Sequence, residues 1–224
     1  MYQDAPSSFD KNGFYLATGL FDSQTCLLLE KEFDKIIDQI KKSGEDINAR
    51  WNSELTNNIE EVGSSVLHTH NVQSYSHKML EMIQNKRLMD VTESLIGSDI
   101  ILHHTKLFLK PPKKGASFPL HQDWSYFPTK NNSMIAAVVH LSDSHKNMGR
   151  IRVVKGSHKM ERIPGSDGRS FIKGIHDKHN LEASEPVDAN AGDVLFFHCC
   201  TLHGSNSNIS SKPRKTILIQ LYSG

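Results

Sequence analysis

Apolar residues of the N-terminal half recur every three or four positions, which is the period of an amphipathic helix. The clearest stripe contains Leu29, Phe33, Ile36, Ile37 and Ile40. Asp22 offers an N-cap and Gly44 a natural stop, so the pattern predicts a helix over Ser23–Lys42. Two shorter helices are predicted over Ser76–Gln84 and Lys86–Ile96.

After residue 97 the pattern changes to short runs rich in β-branched and aromatic residues, separated by Pro, Gly, Asn and Ser. The predicted strands are Phe14–Leu20 near the N-terminus and then Ile100–His104, Lys106–Lys110, Met134–Leu141, Ile151–Val154, Val194–His198 and Thr216–Leu221. Helices outside many short strands predict a mainly β fold with flanking helices. The simplest such architecture is a double-sheet barrel with a site in its mouth.

A chain of 224 residues suits one domain. We expect a helical buttress mostly at 23–96 and a β core at about 99–222.

With 26 basic and 25 acidic residues and no long block of like charge, nothing indicates nucleic acid or an anionic membrane as a partner. No apolar run approaches 18 residues and no signal sequence or peroxisomal tripeptide is evident, so we expect a cytoplasmic protein. Its oligomeric state is not predicted.

Two segments lack the hydrophobic periodicity of a helix or a strand. The polar stretch 45–65 contains Trp51, which either packs the loop onto the body or contacts substrate. The lid segment, residues 156–190, is predicted to be a functional lid or partly disordered. His68 and His70 lie in a possible short strand and either line a pocket or are ordinary surface histidines.

Candidate chemistry centres on His121-Gln122-Asp123. Alternate side chains of an extended strand share a face, so this pair can direct an imidazole and a carboxylate to one point. His203 follows the apolar run 194–197, which lets a second strand bring a third ligand there. Two histidines and one carboxylate suit Fe(II) and leave positions open for a cosubstrate and O2.

A cationic residue follows the last of these ligands in the sequence. If the cosubstrate is 2-oxoglutarate, its distal carboxylate needs a cation. Arg214, 11 residues after His203, offers a planar fork for that carboxylate, and Ser205 offers a hydroxyl. His176 and His179 have no carboxylate at a familiar spacing, so we do not expect them to bind the metal. Cys26, Cys199 and Cys200 are expected to be reduced thiols.

Several motifs occur in order between about Phe9 and Tyr222. They are Lys110-Pro111-Pro112, Pro119-Leu120-His121-Gln122-Asp123 with Tyr126-Phe127-Pro128, Asn147-Met148-Gly149, Lys155-Gly156-Ser157-His158-Lys159, Gly192 to His198, and His203-Gly204-Ser205 through Asn208 to Arg214. In these motifs the chain resembles the phytanoyl-CoA dioxygenase family, and most closely the hydroxylase that gives the family its name. The resemblance implies a double-stranded β-helix (jelly-roll, cupin-like) core that binds Fe(II) and 2-oxoglutarate. It implies His121, Asp123 and His203 as metal ligands, with Arg214 and Ser205 holding 2-oxoglutarate.

Some positions refine or depart from the family pattern. Related halogenases have a small residue in place of Asp123, so its presence indicates hydroxylation. Lys106 replaces a methionine near the cosubstrate and either contacts 2-oxoglutarate or extends out of its strand. Val139 replaces a tryptophan, which puts the substrate in question. The stretch from Lys110 to Lys114 either touches phosphates or forms a basic surface turn.

The residues around Asp123 are candidates for substrate contact. Gln122, Trp124 and Tyr126 face away from the ligands if strand alternation continues, whereas a turn after Asp123 would bring Trp124 or Tyr126 to the substrate mouth.

The sequence therefore predicts an Fe(II)- and 2-oxoglutarate-dependent dioxygenase. It would hydroxylate an unactivated carbon of a small organic or acyl substrate, such as an acyl-CoA, with release of succinate and CO2. The alternative is an inactive metal-binding jelly-roll that serves as a ligand-binding or sensing module.

Overall fold

A computed structural model of the chain describes residues 2–48, 55, 63–127 and 129–224. Within these ranges there are four α-helices: α1 (Ala5–Asn12), α2 (Ser23–Ser43), α3 (His77–Ile83) and α4 (Lys86–Ile96). The three predicted helices are confirmed to within one residue at each end. Sequence periodicity missed α1, because it buries only Ala5 and Phe9 and so carries no apolar stripe. Trp51 lies outside the described residues.

The caps predicted for α2 account for its ends. The side chain of Asp22 accepts a hydrogen bond of 2.7 Å from the backbone N–H of Thr25. Gly44 ends the helix with a φ of 77°, a left-handed conformation that favours glycine. None of the helices in the described ranges combines the length and apolarity needed to cross a membrane.

The strands that the structure describes form two antiparallel sheets. They are β1 (Phe14–Ala17), β2 (Leu67–His70), β3 (Ile100–Lys110), β4 (Phe118–His121), β5 (Ile135–His140), β6 (Ile151–Val153), β7 (Glu185–Pro186), β8 (Val194–His198), β9 (His203–Ser205) and β10 (Arg214–Ser223). One sheet has the order β1-β8-β5-β10-β3-β2 and the other the order β4-β9-β6-β7. The predicted runs on either side of Thr105 form the single strand β3, because Thr105 is buried and pairs with Ile219 of β10.

The larger sheet separates two apolar layers. Ile135, Ala137 and Val139 of β5 pack with the helices, whereas Ala136 and Val138 pack with Ile151 and Val153 of the smaller sheet. This alternation follows from the two-residue period of a strand. The predicted mainly β fold, with flanking helices and a jelly-roll core of two sheets, is confirmed.

The lid segment is folded onto the smaller sheet. It contains a 3-10 helix over Ser157–Met160 and strand β7. Its residues Ile163, Ile172, Ile175 and Leu181 pack with Leu120, Val154 and Leu202. The segment therefore borders the end of β4, where the candidate ligands begin.

Candidate metal and cosubstrate site

The three predicted metal ligands lie together in the mouth between the sheets. His121 ends β4 and pairs directly with His203 at the start of β9. Oδ1 of Asp123 lies 3.8 Å from Nε2 of His121 and 3.5 Å from Nε2 of His203. All three side chains are buried, and their ligand atoms lie within 4.8 Å of one another. One ion in contact with all three fits this spacing.

His121 and Asp123 face the same point, as strand alternation predicts, because the backbone of Gln122 between them is extended. Strand β4 ends at His121, and Asp123 begins a 3-10 helix over Asp123–Ser125. The turn is anchored because the N–H of Trp124 donates to the carbonyl of Cys199 over 3.2 Å. Asp123 thus follows an extended residue, and the turn that begins at Asp123 ends the strand alternation for the residues after it.

Both histidines are oriented by the backbone. Nδ1 of His121 lies 2.8 Å from the carbonyl of Pro119, and Nδ1 of His203 lies 2.9 Å from the carbonyl of Thr201. A carbonyl can only accept, so Nδ1 of each ring carries the proton and Nε2 keeps its lone pair. Burial lowers the pKa of His121 to about 3 and that of His203 to about 4. Both rings are therefore in the neutral form that binds metal.

The carboxylate of Asp123 is oriented by Gln220 of β10. Nε2 of Gln220 donates to Oδ2 over 2.8 Å, which leaves Oδ1 facing the two imidazoles. Burial raises the pKa of Asp123, while His121 and this hydrogen bond from Gln220 oppose that rise. The sequence interpretation missed Gln220, although a glutamine inside the apolar run of β10 was a visible signal.

A cavity of about 500 Å³ opens beside these ligands. Most of its other lining side chains are aromatic, aliphatic or cationic: His104, Lys106, Phe108, Phe118, Tyr126, Phe127, Val138, Ile151, Arg169, Phe197, Arg214 and Leu218. Asp123 is the one carboxylate among the described lining residues. Such a site, apolar with a few polar groups, is typical of small-molecule binding.

Arg214 is the first residue of β10 and lines the cavity. Nη1 donates to the carbonyl of Gly149, and within the described residues Nε is buried without a hydrogen-bond partner. Burial lowers the pKa of Arg214 to about 10, so it is still a cation at neutral pH. A buried cation with an unsatisfied N–H fits an anionic ligand.

Ser205 and Lys106 also line the cavity. Ser205 is the last residue of β9 and lines the same cavity as Arg214. Lys106 is placed across from Leu218 of β10, and its Nζ lies 4.9 Å from the centre of the Phe108 ring. Burial lowers the pKa of Lys106, and the negative charge of Asp123 opposes that effect. Its side chain thus points into the cavity instead of extending out of the sheet.

The three predicted substrate residues have different positions. Tyr126 lines the cavity, and its hydroxyl donates to the carbonyl of Asp167 in the lid segment. Gln122 and Trp124 are not part of the lining. Gln122 is fully buried, and its Oε1 accepts from Nε1 of Trp124 and the N–H of Ile163, over 2.6 and 2.9 Å. These two side chains join the ligand turn to the lid segment, so their position does not support substrate contact.

Among the remaining histidines and cysteines, His104 lines the cavity, and none shares the group of ligand atoms formed by His121, Asp123 and His203. His68 and His70 are in β2, and His70 packs 5.8 Å from the ring of His104 at the cavity. Nδ1 of His176 accepts from the N–H of Ile172. A second group of candidate ligand atoms within the described residues belongs to His198, Cys199 and Cys200. All three cysteines of the sequence are free thiols.

The chain matches the family model described as phytanoyl-CoA dioxygenase (PhyH) over residues 9–216. It belongs to this family. The chain is 26% identical to an ectoine dioxygenase of Bordetella bronchiseptica, over 96% of this chain and 73% of that protein. It is 28% identical to the peroxisomal phytanoyl-CoA dioxygenase of Homo sapiens, over 93% of this chain and 64% of that protein. The chain therefore spans less than two thirds of the human relative.

Solved structures show the same fold. The epimerase SnoN from nogalamycin biosynthesis, determined in complex with Fe3+, alpha-ketoglutarate and nogalamycin RO, superposes with a TM-score of 0.79 at 20% identity. The match covers 99% of this chain and 83% of that chain. Family and fold together make the protein a non-haem iron, 2-oxoglutarate-dependent dioxygenase, with Fe(II), 2-oxoglutarate and O2 as its cofactor and cosubstrates.

Proposed function

We propose that this dioxygenase hydroxylates an unactivated carbon of a small organic or acyl substrate and releases succinate and CO2. The observation that carries the proposal is one cavity with two chemical ends. Oδ1 of Asp123 and Nε2 of both histidines converge at one end. The other end presents Arg214, a buried cation that can pair with the second carboxylate of a dicarboxylate cosubstrate.

The donor set fits Fe(II) in a two-histidine, one-carboxylate site, with His121, Asp123 and His203 as ligands. When bound, the iron together with 2-oxoglutarate supplies the activation of O2 that no side chain can provide. The protein holds the carboxylate and both neutral imidazoles in place before the metal arrives. The apolar lining, including Val138 and Phe197, keeps water from the reacting groups.

The two ends of the cavity suit the length of 2-oxoglutarate. Arg214 lies four residues from Leu218 along β10, and Lys106 is the cross-strand partner of Leu218. Four strand residues span roughly 13 Å, so the long side chains of Arg214 and Lys106 can reach opposite ends of one dicarboxylate. We assign the distal carboxylate to Arg214 and Ser205. Lys106 is assigned to the end near the metal.

The substrate is expected to enter beside Tyr126 and Phe127, which line the cavity next to the ligand turn. Tyr126 joins this turn to the lid segment, which brings Arg169 to the same lining. Asp123 fills the ligand position that a halide would need, which favours hydroxylation. The aromatic lining suits an organic or acyl group in the space that 2-oxoglutarate leaves.

The test is oxygen-dependent conversion of 2-oxoglutarate to succinate by the iron-loaded protein, with a panel of small organic acids and acyl-CoA thioesters. We expect succinate formation that rises with the right substrate, and we expect Arg214→Ala to lose affinity for 2-oxoglutarate. Lys212→Ala removes an exposed cation two residues earlier and serves as the control. No turnover with any substrate, together with unchanged cosubstrate affinity in Arg214→Ala, would instead support an inactive ligand-binding module.

A further inference from the structure

Lys110 ends β3 with a completely buried side chain, at 0% exposure. The basic surface turn expected for the stretch from Lys110 to Lys114 therefore does not include Lys110; it lies at residues 112–114, where Lys113 and Lys114 are exposed. Its Nζ donates hydrogen bonds of 2.7 Å to Oγ of Ser205 and of 2.7 Å to the carbonyl of Asn206. It also lies 4.9 Å from the centre of the Phe118 ring. Burying an ammonium group costs solvation free energy, so a buried lysine at this position indicates a compensating structural or functional role.

Lys110 is the direct cross-strand partner of Arg214. Residues directly opposite in an antiparallel pair have Cβ atoms roughly 5 Å apart on one face of the sheet, and like charges there repel. Arg214 is also buried, and in the described residues no carboxylate forms a salt bridge with it. An anion bound in the cavity next to Arg214 and Ser205 would relieve the repulsion between the two cations.

The hydrogen bond from Lys110 decides how Ser205 can act. An ammonium group has donors and no acceptor, so Oγ of Ser205 must accept this bond. The single hydroxyl proton of Ser205 is then available to another acceptor. Because Ser205 lines the cavity, an oxygen of a bound ligand is suitably placed to accept it.

The end of β3 is packed tightly around Lys110. A Cβ at Gly115 would lie 2.9 Å from Cβ of Lys110 and 2.7 Å from Cβ of Asn208. Nδ2 of Asn208 donates to the carbonyl of Lys110 over 3.1 Å. The strand end is thus fixed by close packing on one side and by an amide on the other, which holds the ammonium group against Ser205.

We propose that Lys110 is a positioning residue that makes this end of the cavity selective for a distal carboxylate. It supplies a second positive charge beside Arg214 and sets the hydroxyl of Ser205 as a donor. This inference rests on the proposed function. A 2-oxo acid that lacks the distal carboxylate uses neither the second charge nor the hydroxyl, so Lys110 should matter for 2-oxoglutarate alone.

The experiment compares binding of 2-oxoglutarate and 2-oxobutyrate to the anaerobic, iron-loaded protein. We expect Lys110→Met to weaken 2-oxoglutarate binding roughly ten- to hundredfold, as for the loss of a charge-assisted hydrogen bond, and to leave 2-oxobutyrate binding unchanged. The control is Lys114→Met, which removes an exposed charge nearby and should change neither. If the Met variant does not fold, Lys110→Gln replaces it in the same comparison. This variant keeps an N–H donor but removes the positive charge.

Equal losses for both ligands, or no loss for either, would overturn the inference, because Lys110 would then act only on the fold. A different failure is visible in the unsubstituted protein. If it binds the two 2-oxo acids equally well, the assignment of Arg214 to a distal carboxylate fails, and the role of Lys110 fails with it. A selective loss of 2-oxoglutarate that Lys110→Arg partly restores supports the inference.

Discussion

Gln220 donates its side-chain N–H to Oδ2 of Asp123 over 2.8 Å, from the centre of β10 to the turn after β4. The bond occupies the oxygen of Asp123 that does not face the two histidines. It therefore presents Oδ1 as the single carboxylate donor. Gln220 is fully buried, so water cannot replace it there.

Substitution of Gln220 by Leu should weaken Fe(II) binding roughly ten- to hundredfold, as loss of a hydrogen bond to a metal ligand typically does. Oδ2 of Asp123 would be left buried without its donor, and the carboxylate would be free to rotate. Competition with a chelator of known affinity measures the effect. Gln39→Leu, at an exposed position of α2, is the control. Unchanged metal affinity in Gln220→Leu would show that the turn alone orients Asp123.

Gln122 is expected to stabilise the protein without contacting substrate. Its Oε1 accepts from the N–H of Ile163 and from Oγ of Ser166, and its Nε2 donates to the carbonyls of Glu161 and Cys200. Gln122→Met leaves several buried groups unsatisfied and should lower the free energy of unfolding by at least about 2 kcal/mol. Urea unfolding measures this loss.

The same variant should increase amide hydrogen exchange in residues 161–169, because that part of the lid segment loses its connection to the ligand turn. A changed KM for substrate with unaltered stability and exchange would restore the substrate role first expected for Gln122.

His140 should make the stability of the metal-free protein depend on pH. Burial, assisted by the nearby charge of Arg214, lowers the pKa of His140 to about 3, whereas an unfolded histidine has a pKa of about 6.5. Between these values the unfolded state binds the additional proton. Stability is therefore retained above about pH 6.5 and falls as the pH decreases, by up to about 1.4 kcal/mol per pH unit for this residue.

Chemical unfolding at a series of pH values from 4.5 to 7.5 checks this prediction. In His140→Gln the slope of the unfolding free energy against pH should decrease by the contribution of one proton, up to about 1.4 kcal/mol per pH unit. The other buried histidines contribute to the remaining slope. An identical slope in the variant would mean that His140 is protonated in the folded protein.

Much of the fold follows from sequence signals that are local. Asp22 and Gly44 fix the ends of α2, and the change from a helical to a strand period near residue 97 separates the helices from the jelly-roll. The two sheets and their strand order depend on long-range pairing, which no local pattern specifies. Thr105 shows where local patterns fail to predict the fold. This polar residue resembles a strand break in the sequence, but it is buried within a continuous strand.

The candidate site was predictable where its residues carry distinctive chemistry. His121, Asp123, His203 and Arg214 have a recognisable order, and the structure brings the three ligands to one point. Lys110 and Gln220 act through neighbours that are far away in sequence, Ser205 and Asp123. A lysine beside two prolines and a glutamine in a strand have many uses, so only the cross-strand contacts reveal what they do.

The metal-ligand assignment is tested most directly by an anaerobic titration of the metal-free protein with Fe(II) in the presence of 2-oxoglutarate. We expect a single iron per chain and a visible charge-transfer absorption band. His121→Ala and His203→Ala should abolish the band, and His179→Ala should keep it. A band that persists in His121→Ala or His203→Ala would contradict the ligand assignment. Absence of the band from the unsubstituted protein would contradict the site as a whole.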